Sequence, residues 1–171
     1  MKGLIQVYTG NGKGKTTAAL GLSLRAVGAG KKVFFAQFVK GQLYSEIKAL
    51  ENYLPAIEVK QYGLECFIHN TPTEKDIEIA RQGLEEVATI IYSNKYDIVV
   101  LDEANIAIYY KLFSTEELIA ILDKKPAETE IIITGRNATP ELIAYADLVT
   151  EMLEVKHYYQ QGVKARLGIE Y

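Results

Sequence analysis

A chain of 171 residues can bury one full hydrophobic core, and we expect residues 1–171 to form a single domain. With 49% apolar residues it is a globular chain, and a net charge of -3 argues against non-specific binding to nucleic acid or to a membrane surface. A single cysteine, Cys66, excludes an internal disulfide and a multi-cysteine zinc site; with no signal-like or membrane-length apolar run, the expected location is cytoplasmic.

Gly3 to Tyr8 is short and β-rich and reads as a buried strand. Thr9-Gly10-Asn11-Gly12-Lys13-Gly14-Lys15-Thr16-Thr17 follows, and then a small, apolar helical stretch to Val27, stopped at Gly28-Ala29-Gly30. Lys32 to Phe38 is a second strand, ending at Val39-Lys40-Gly41. Ser45 to Leu54 reads as a short helix closed by Pro55, and the alternation from Ile57 to Tyr62 predicts a third strand near a sheet edge. Gly63 to Pro72 is an irregular loop carrying Cys66, Phe67 and His69.

Thr73 then caps a long helix whose Ile77, Ala80, Leu84, Val87 and Ile91 share one face. Ile98 to Leu101 is an apolar run that ends in Asp102-Glu103. Ser114 and Glu117 form a capping box for a helix up to Lys124. Thr129 to Thr134 is a further strand ending in Gly135-Arg136-Asn137. Thr139-Pro140 opens a short helix, and Asp147 to Met152 reads as a last strand. Periodicity assigns no structure to the polar, tyrosine-bearing tail from Glu154 to Tyr171.

Alternating strands and helices with continuous apolar strands predict an α/β fold: a P-loop NTPase-like, RecA-like three-layer sandwich with a mostly parallel sheet covered by helices on both faces. Ligands in such sheets bind outside the carboxyl ends of the strands, so Gly10 to Thr17, Gln37-Phe38, Asp102-Glu103 and Arg136 should share one edge.

The segment from Thr9 to Thr17 fits a phosphate-binding loop, because strand, glycine-rich turn and helix N-terminus together present inward N–H groups to an anion. Lys15 would reach the outer phosphates and the Thr16 hydroxyl would ligate magnesium. The usual first glycine is displaced by one residue, so that Thr9 stands where it is expected and Gly10 follows. Asp102 and Glu103 stand at a Walker B position, where a carboxylate holds magnesium opposite Thr16; capping of a helix that begins near Ala104 is the alternative, and either acid can be the ligand. Arg136 suits a phosphate by its planar fork of donors, or else makes a surface ion pair. His157 beside Tyr158-Tyr159 is open between a structural and a pocket role.

The chain resembles the P-loop ATP:corrinoid adenosyltransferases. The likeness is carried by Val7 to Ala19, Arg25-Ala26-Val27-Gly28, Gln37-Phe38-Val39-Lys40-Gly41, Leu101-Asp102-Glu103, Ile133-Thr134-Gly135-Arg136 and Ala146 to Glu151. In the tail it is carried by Val155-Lys156-His157, Gly162-Val163-Lys164-Ala165 and Gly168-Ile169-Glu170-Tyr171.

The resemblance implies transfer of the 5′-deoxyadenosyl group of ATP to the cobalt(I) of a reduced corrinoid, giving adenosylcobalamin or another adenosyl-corrinoid and releasing triphosphate. It implies Mg2+, a homodimer and a reduced flavoprotein electron donor, with Lys15, Thr16 and Glu103 at the reaction. It also implies a corrinoid pocket at Phe67 and His69, where family members often carry Phe-x-Trp and this chain has Phe67-Ile68-His69. Many members carry an N-terminal extension, whereas this sequence starts at the first strand, so closure of the site is expected to differ. Two other readings stand beside it: a P-loop nucleoside kinase, whose usual cysteine zinc site one cysteine cannot supply, and an ATP-gated binding module without catalysis.

Overall fold

The computed structural model describes residues 2–42, 44–64 and 71–171. Its centre is a six-stranded, all-parallel sheet in the order β3-β2-β4-β5-β1-β6, formed by β1 (Ile5–Thr9), β2 (Val33–Phe38), β3 (Ile57–Tyr62), β4 (Ile98–Asp102), β5 (Glu130–Thr134) and β6 (Leu148–Glu151). The strand expected near an edge, β3, is at one, and β6 forms the other.

Successive side chains in a strand face opposite ways, and both faces here are apolar. On one face Val33, Phe35, Ile98, Val100 and Ile132 pack under α1 (Lys15–Gly28) and α2 (Ser45–Tyr53), which contribute Ala19, Ala26 and Leu50. On the other, Val7, Phe34, Val99, Leu101, Ile131 and Ile133 pack against α3 (Glu74–Tyr92), α4 (Ala104–Tyr109), α5 (Thr115–Leu122) and α6 (Pro140–Tyr145). The three-layer α/β expectation is met, with a sheet that is wholly parallel.

Local signals account for the helix ends. Thr73 and Ser114 each accept the N–H of the residue three further on, Asp76 and Glu117, whose carboxylates take the cap residue's own N–H in return. Thr139 caps α6, with Pro140 at its first position. On α3, Gly83 is buried where a Cβ would stand 2.5 Å from the Tyr62 ring, so the helix lies directly on that ring. The tail that periodicity left open carries one turn of 3-10 helix, Tyr158–Gln161.

Candidate nucleotide site

The loop after β1 is pinned to its neighbours at several points. Gly10 (φ 93°) and Gly14 (φ 114°) have the positive φ that favours glycine. A Cβ on Gly10 would lie 2.5 Å from the Met152 carbonyl oxygen. The loop is stitched to the end of β6, since Met152 N–H donates to Thr9 O (2.8 Å) and Gly12 N–H donates to Met152 O (2.7 Å). Thr9, at the displaced first position, instead uses its hydroxyl to accept the Ala138 N–H at 3.3 Å, tying the loop to the segment after β5.

Gly14 leads into α1, whose first residue is Lys15. The Lys15 ammonium folds back over the loop and donates to Gly10 O (2.8 Å) and Gly12 O (2.6 Å). Burial lowers its pKa, with Arg136 and Lys40 acting the same way against Glu103 and Asp102. Thr16, one residue on, donates its hydroxyl to Asp102 Oδ1 at 2.9 Å.

Asp102 is fully buried at the end of β4. Strand register sets Gln61 beside Gln37 and Gln37 beside Asp102, and the alternation that buries Ile132 on the α1 face puts Thr134 on that face too. A polar row therefore crosses the apolar sheet where the strands end. Gln61 donates to Gln37 Oε1 (2.8 Å), Gln37 donates to Asp102 Oδ2 (2.9 Å), and Thr134 donates to Asp102 Oδ1 (2.6 Å). With Thr16, three donors fix the carboxylate, which satisfies its charge in a place where an unpaired one would be costly.

Glu103 turns out of β4 with a positive φ of 58° and begins α4. Its N–H donates to the Thr134 hydroxyl at 3.0 Å. Val39, at φ 64°, makes a similar left-handed turn after β2 and delivers Lys40 to the same place. A β-branched residue adopts that conformation only at a cost, which the surroundings must hold. Lys40 Nζ lies 3.6 Å from Asp102 Oδ2 and 3.5 Å from Glu103 Oε1.

Burial acts to lower the Lys40 pKa, but the carboxylates of Asp102, Glu103 and Glu46 outweigh it and hold the ammonium above its ordinary range. Burial, then neighbouring Asp102, push the Glu103 carboxyl up against the pull of Lys40 and Lys15.

These groups border a cleft of about 820 Å³ lined by Gly12 to Thr17, Lys40, Glu103, Ile106, Tyr110 and Arg136, with His157 and Gly168 to Tyr171 from the tail. Arg136 is exposed at its rim, follows Gly135 (φ 128°), and takes part in none of the salt bridges among the described residues. Asn105 donates to Gly135 O at 2.9 Å and so fixes the turn from which Arg136 projects. His157 Nδ1 accepts the Tyr159 N–H at 3.1 Å. Lys13, by contrast, turns its ammonium to the tail, donating to Tyr158 Oη (2.9 Å), Ile169 O (3.0 Å) and Glu170 Oε1 (2.8 Å).

The expected convergence at one sheet edge is therefore present for the loop, Gln37, Asp102, Glu103 and Arg136. Phe67 and His69 lie outside the described residues. Lys40, Thr134 and Gln61 were given no role by the sequence reading. The signal for this polar row lies in the strands themselves: Gln37 and Thr134 interrupt apolar runs at the same end of β2 and β5, the strands on either side of β4. Among the described residues no group of three or more His, Cys, Asp or Glu side chains could hold a metal. A magnesium ion requires fewer, because phosphates and water complete its shell, and the Thr16 hydroxyl and the two acids could supply hard oxygens of the kind it prefers.

Comparison with known proteins agrees with this arrangement. A family model described as ATP:corrinoid adenosyltransferase BtuR/CobO/CobP matches residues 1–171. The chain is 38% identical over 171 residues to the Corrinoid adenosyltransferase of Escherichia coli (strain K12), covering 99% of this chain and 86% of that protein. It is likewise 38% identical over 171 residues to Corrinoid adenosyltransferase CobA of Salmonella typhimurium, with the same coverage of 99% and 86%. Against the Corrinoid adenosyltransferase of Pseudomonas aeruginosa the identity is 36% over 172 residues, covering 99% of this chain and 84% of that protein.

Proposed function

The chain belongs to the ATP:corrinoid adenosyltransferase family, and on that premise we propose that it transfers the 5′-deoxyadenosyl group of ATP to the cobalt(I) of a reduced corrinoid. The cobalt(I) electron pair attacks the ribose C5′, the C5′–O5′ bond breaks, and its electron pair leaves with triphosphate. Cobalt ends as cobalt(III) with a new cobalt–carbon bond. Cobalt(I) is a strong nucleophile without help, so the protein needs no base for it. Its tasks are to position C5′ and to stabilise charge developing on the leaving triphosphate.

The observation that carries this reading is Thr16 bonded to the buried Asp102 directly below the loop, with Lys15, Lys40 and Arg136 bordering one cleft. In the proposed complex the loop N–H groups between Gly10 and Thr17 other than that of Gly12, with the Lys15 ammonium, hold the triphosphate, and Arg136 closes on it from the rim. Lys40, now shared between Asp102 and Glu103, adds a third cation in reach. A bound Mg2+, held by Thr16 with Asp102 or Glu103, would supply charge neutralisation of the triphosphate. Gly12 N–H is engaged by Met152, which leaves the other loop amides for phosphate oxygens.

The same reading includes residues 1–171 as one nucleotide-binding domain, a corrinoid pocket involving Phe67 and His69, a reduced flavoprotein donor and a cytoplasmic setting. No helix among the described residues is long and apolar enough to cross a membrane. It also includes a homodimer, which exposed Leu148 and Val149 on edge strand β6 would suit.

The test is to mix the protein with Mg-ATP and chemically reduced cobalamin and follow absorbance as the cobalt–carbon bond forms. Adenosylcobalamin with one triphosphate per turnover is expected. ADP and phosphate without adenosylcobalamin would sink the proposal.

A further inference from the structure

The Gly168-Ile169-Glu170-Tyr171 stretch has no part in the chemistry above, yet it sits against the phosphate loop. Glu170 is the hub. It accepts from Lys13 Nζ (2.8 Å), from the Tyr158 hydroxyl, and from Arg166 through the backbone N–H (2.8 Å), Nη2 (3.2 Å) and Nε (3.3 Å). Lys13 gives its other two hydrogen bonds to Tyr158 Oη and Ile169 O, so its ammonium is committed to the tail. Arg166 stacks 5.0 Å from the centre of the Tyr158 ring. Farther along, Ser45 at the start of α2 donates to Tyr171 O at 3.1 Å. The tail thereby spans the cleft from the loop to α2.

We propose that Glu170 is a positioning residue for the nucleotide: acting through Lys13, it holds the glycine-rich loop in its receiving shape and seats the tail as one wall of the cleft. The inference rests on reading this loop as the ATP site. Lys13 stands between two glycines, Gly12 and Gly14, beyond the stitch at Met152, so without its own anchor this part of the loop samples more backbone states and ATP binding must order them. An anchor formed in advance removes that cost from the binding step. An isolated exposed ion pair would contribute little. Here one carboxylate, with 17% of its side chain exposed, joins a lysine, an arginine and a phenol, which restricts all four. Lys13 thus differs in role from Lys15: its charge is neutralised by the tail while its backbone shapes the loop.

The experiment compares wild type with Glu170→Ala, Glu170→Gln, Lys13→Ala and Lys13→Ala/Glu170→Ala. Mg-ATP binding is measured by calorimetry without corrinoid, and KM for ATP and kcat by adenosylcobalamin formation. Either alanine variant should weaken ATP binding and raise KM by about tenfold, with a much smaller change in kcat. The double variant should be no worse than the single ones, because one link is broken in each. Glu170→Gln keeps the side chain's shape and should fall between wild type and Glu170→Ala, which covers the case where the alanine variant does not fold.

Unchanged ATP affinity in Glu170→Ala or Glu170→Gln overturns the inference, as do additive losses in the double variant. Wild type that binds Mg-ATP but does not alkylate cobalt overturns the proposed reaction alone. Wild type that binds no Mg-ATP overturns both.

Discussion

The Thr134 hydroxyl donates to Asp102 Oδ1 at 2.6 Å and accepts the Glu103 N–H at 3.0 Å. One side chain on β5 therefore sets the orientation of the first acid and the backbone turn that presents the second. Removing it should disturb both without touching any ligand.

Thr134→Val keeps the shape and deletes the hydroxyl, leaving a buried N–H without its acceptor and a carboxylate short of one donor. The expected loss is about 1–3 kcal/mol of stability, read by urea denaturation. The Mg2+ concentration for half-maximal activity should rise, because Glu103 is less firmly placed. A fully stable variant with unchanged Mg2+ dependence would show that the hydroxyl holds neither acid.

The two acids should separate experimentally. Asp102→Asn replaces one acceptor oxygen with an NH2 group that faces donors, and a partner lost from a buried charge cluster costs about 3–5 kcal/mol. Glu103 makes fewer internal contacts, and its side chain does not cap the helix α4 that follows it, so Glu103→Gln should stay folded and lose activity while retaining ATP affinity. Thermal melts and ATP calorimetry on both variants decide this. Equal destabilisation by the two substitutions would contradict the division.

Much of this site was legible from residue order, and the reason is local. The loop at Gly10 to Thr17 announces itself by glycines between a strand and a helix, and Asp102-Glu103 by acids closing an apolar run. What stayed hidden depends on register between distant strands. Gln37, Thr134 and Gln61 become one polar row only when β5 enters between β1 and β4 and β2 adds on the far side. The tail was hidden for a related reason: its order comes from Lys13, 157 positions away from Glu170 in sequence, and local periodicity carries no trace of that.

The stitch between the loop and β6 can be tested at Gly10. A Cβ there would meet Met152 backbone atoms at 2.5 and 2.8 Å, and its φ of 93° disfavours any larger residue. Gly10→Ala should force the loop off the β6 end and cost about 1–3 kcal/mol. Mg-ATP should then raise the melting temperature by less than it does in wild type. Full nucleotide stabilisation would mean that the loop does not need this backbone shape.

The Glu170 link carries a defined pH signature. Arg166, Lys13 and Tyr158 hold its carboxyl well below the usual carboxylate range. A group with a depressed native pKa contributes above its unfolded value, near 4.3, and that contribution is lost as pH falls through the native value. The stability gap between wild type and Glu170→Gln should therefore be constant from about pH 6 to 8 and shrink in acid, below about pH 4. A gap that closed near neutrality would assign it to another group.

Lys15 is the sharpest test of the loop itself. Its ammonium is buried, its pKa is lowered, and its present partners are the loop carbonyls of Gly10 and Gly12. Because the native pKa lies below the unfolded one, the charged form opposes folding at neutral pH, and the opposition fades as pH rises through the native value. Lys15→Met removes that charge and keeps the length, so its melting temperature without nucleotide should equal or exceed that of wild type. The triphosphate meanwhile loses the cation closest to the loop, and turnover should fall by at least about 10²–10³-fold, the scale of a missing charge-stabilising donor. Calorimetric melts and adenosylcobalamin formation read the two effects separately. A stable variant with wild-type turnover would remove Lys15 from the reaction. An unstable one would mean that the ammonium serves to hold the empty loop together.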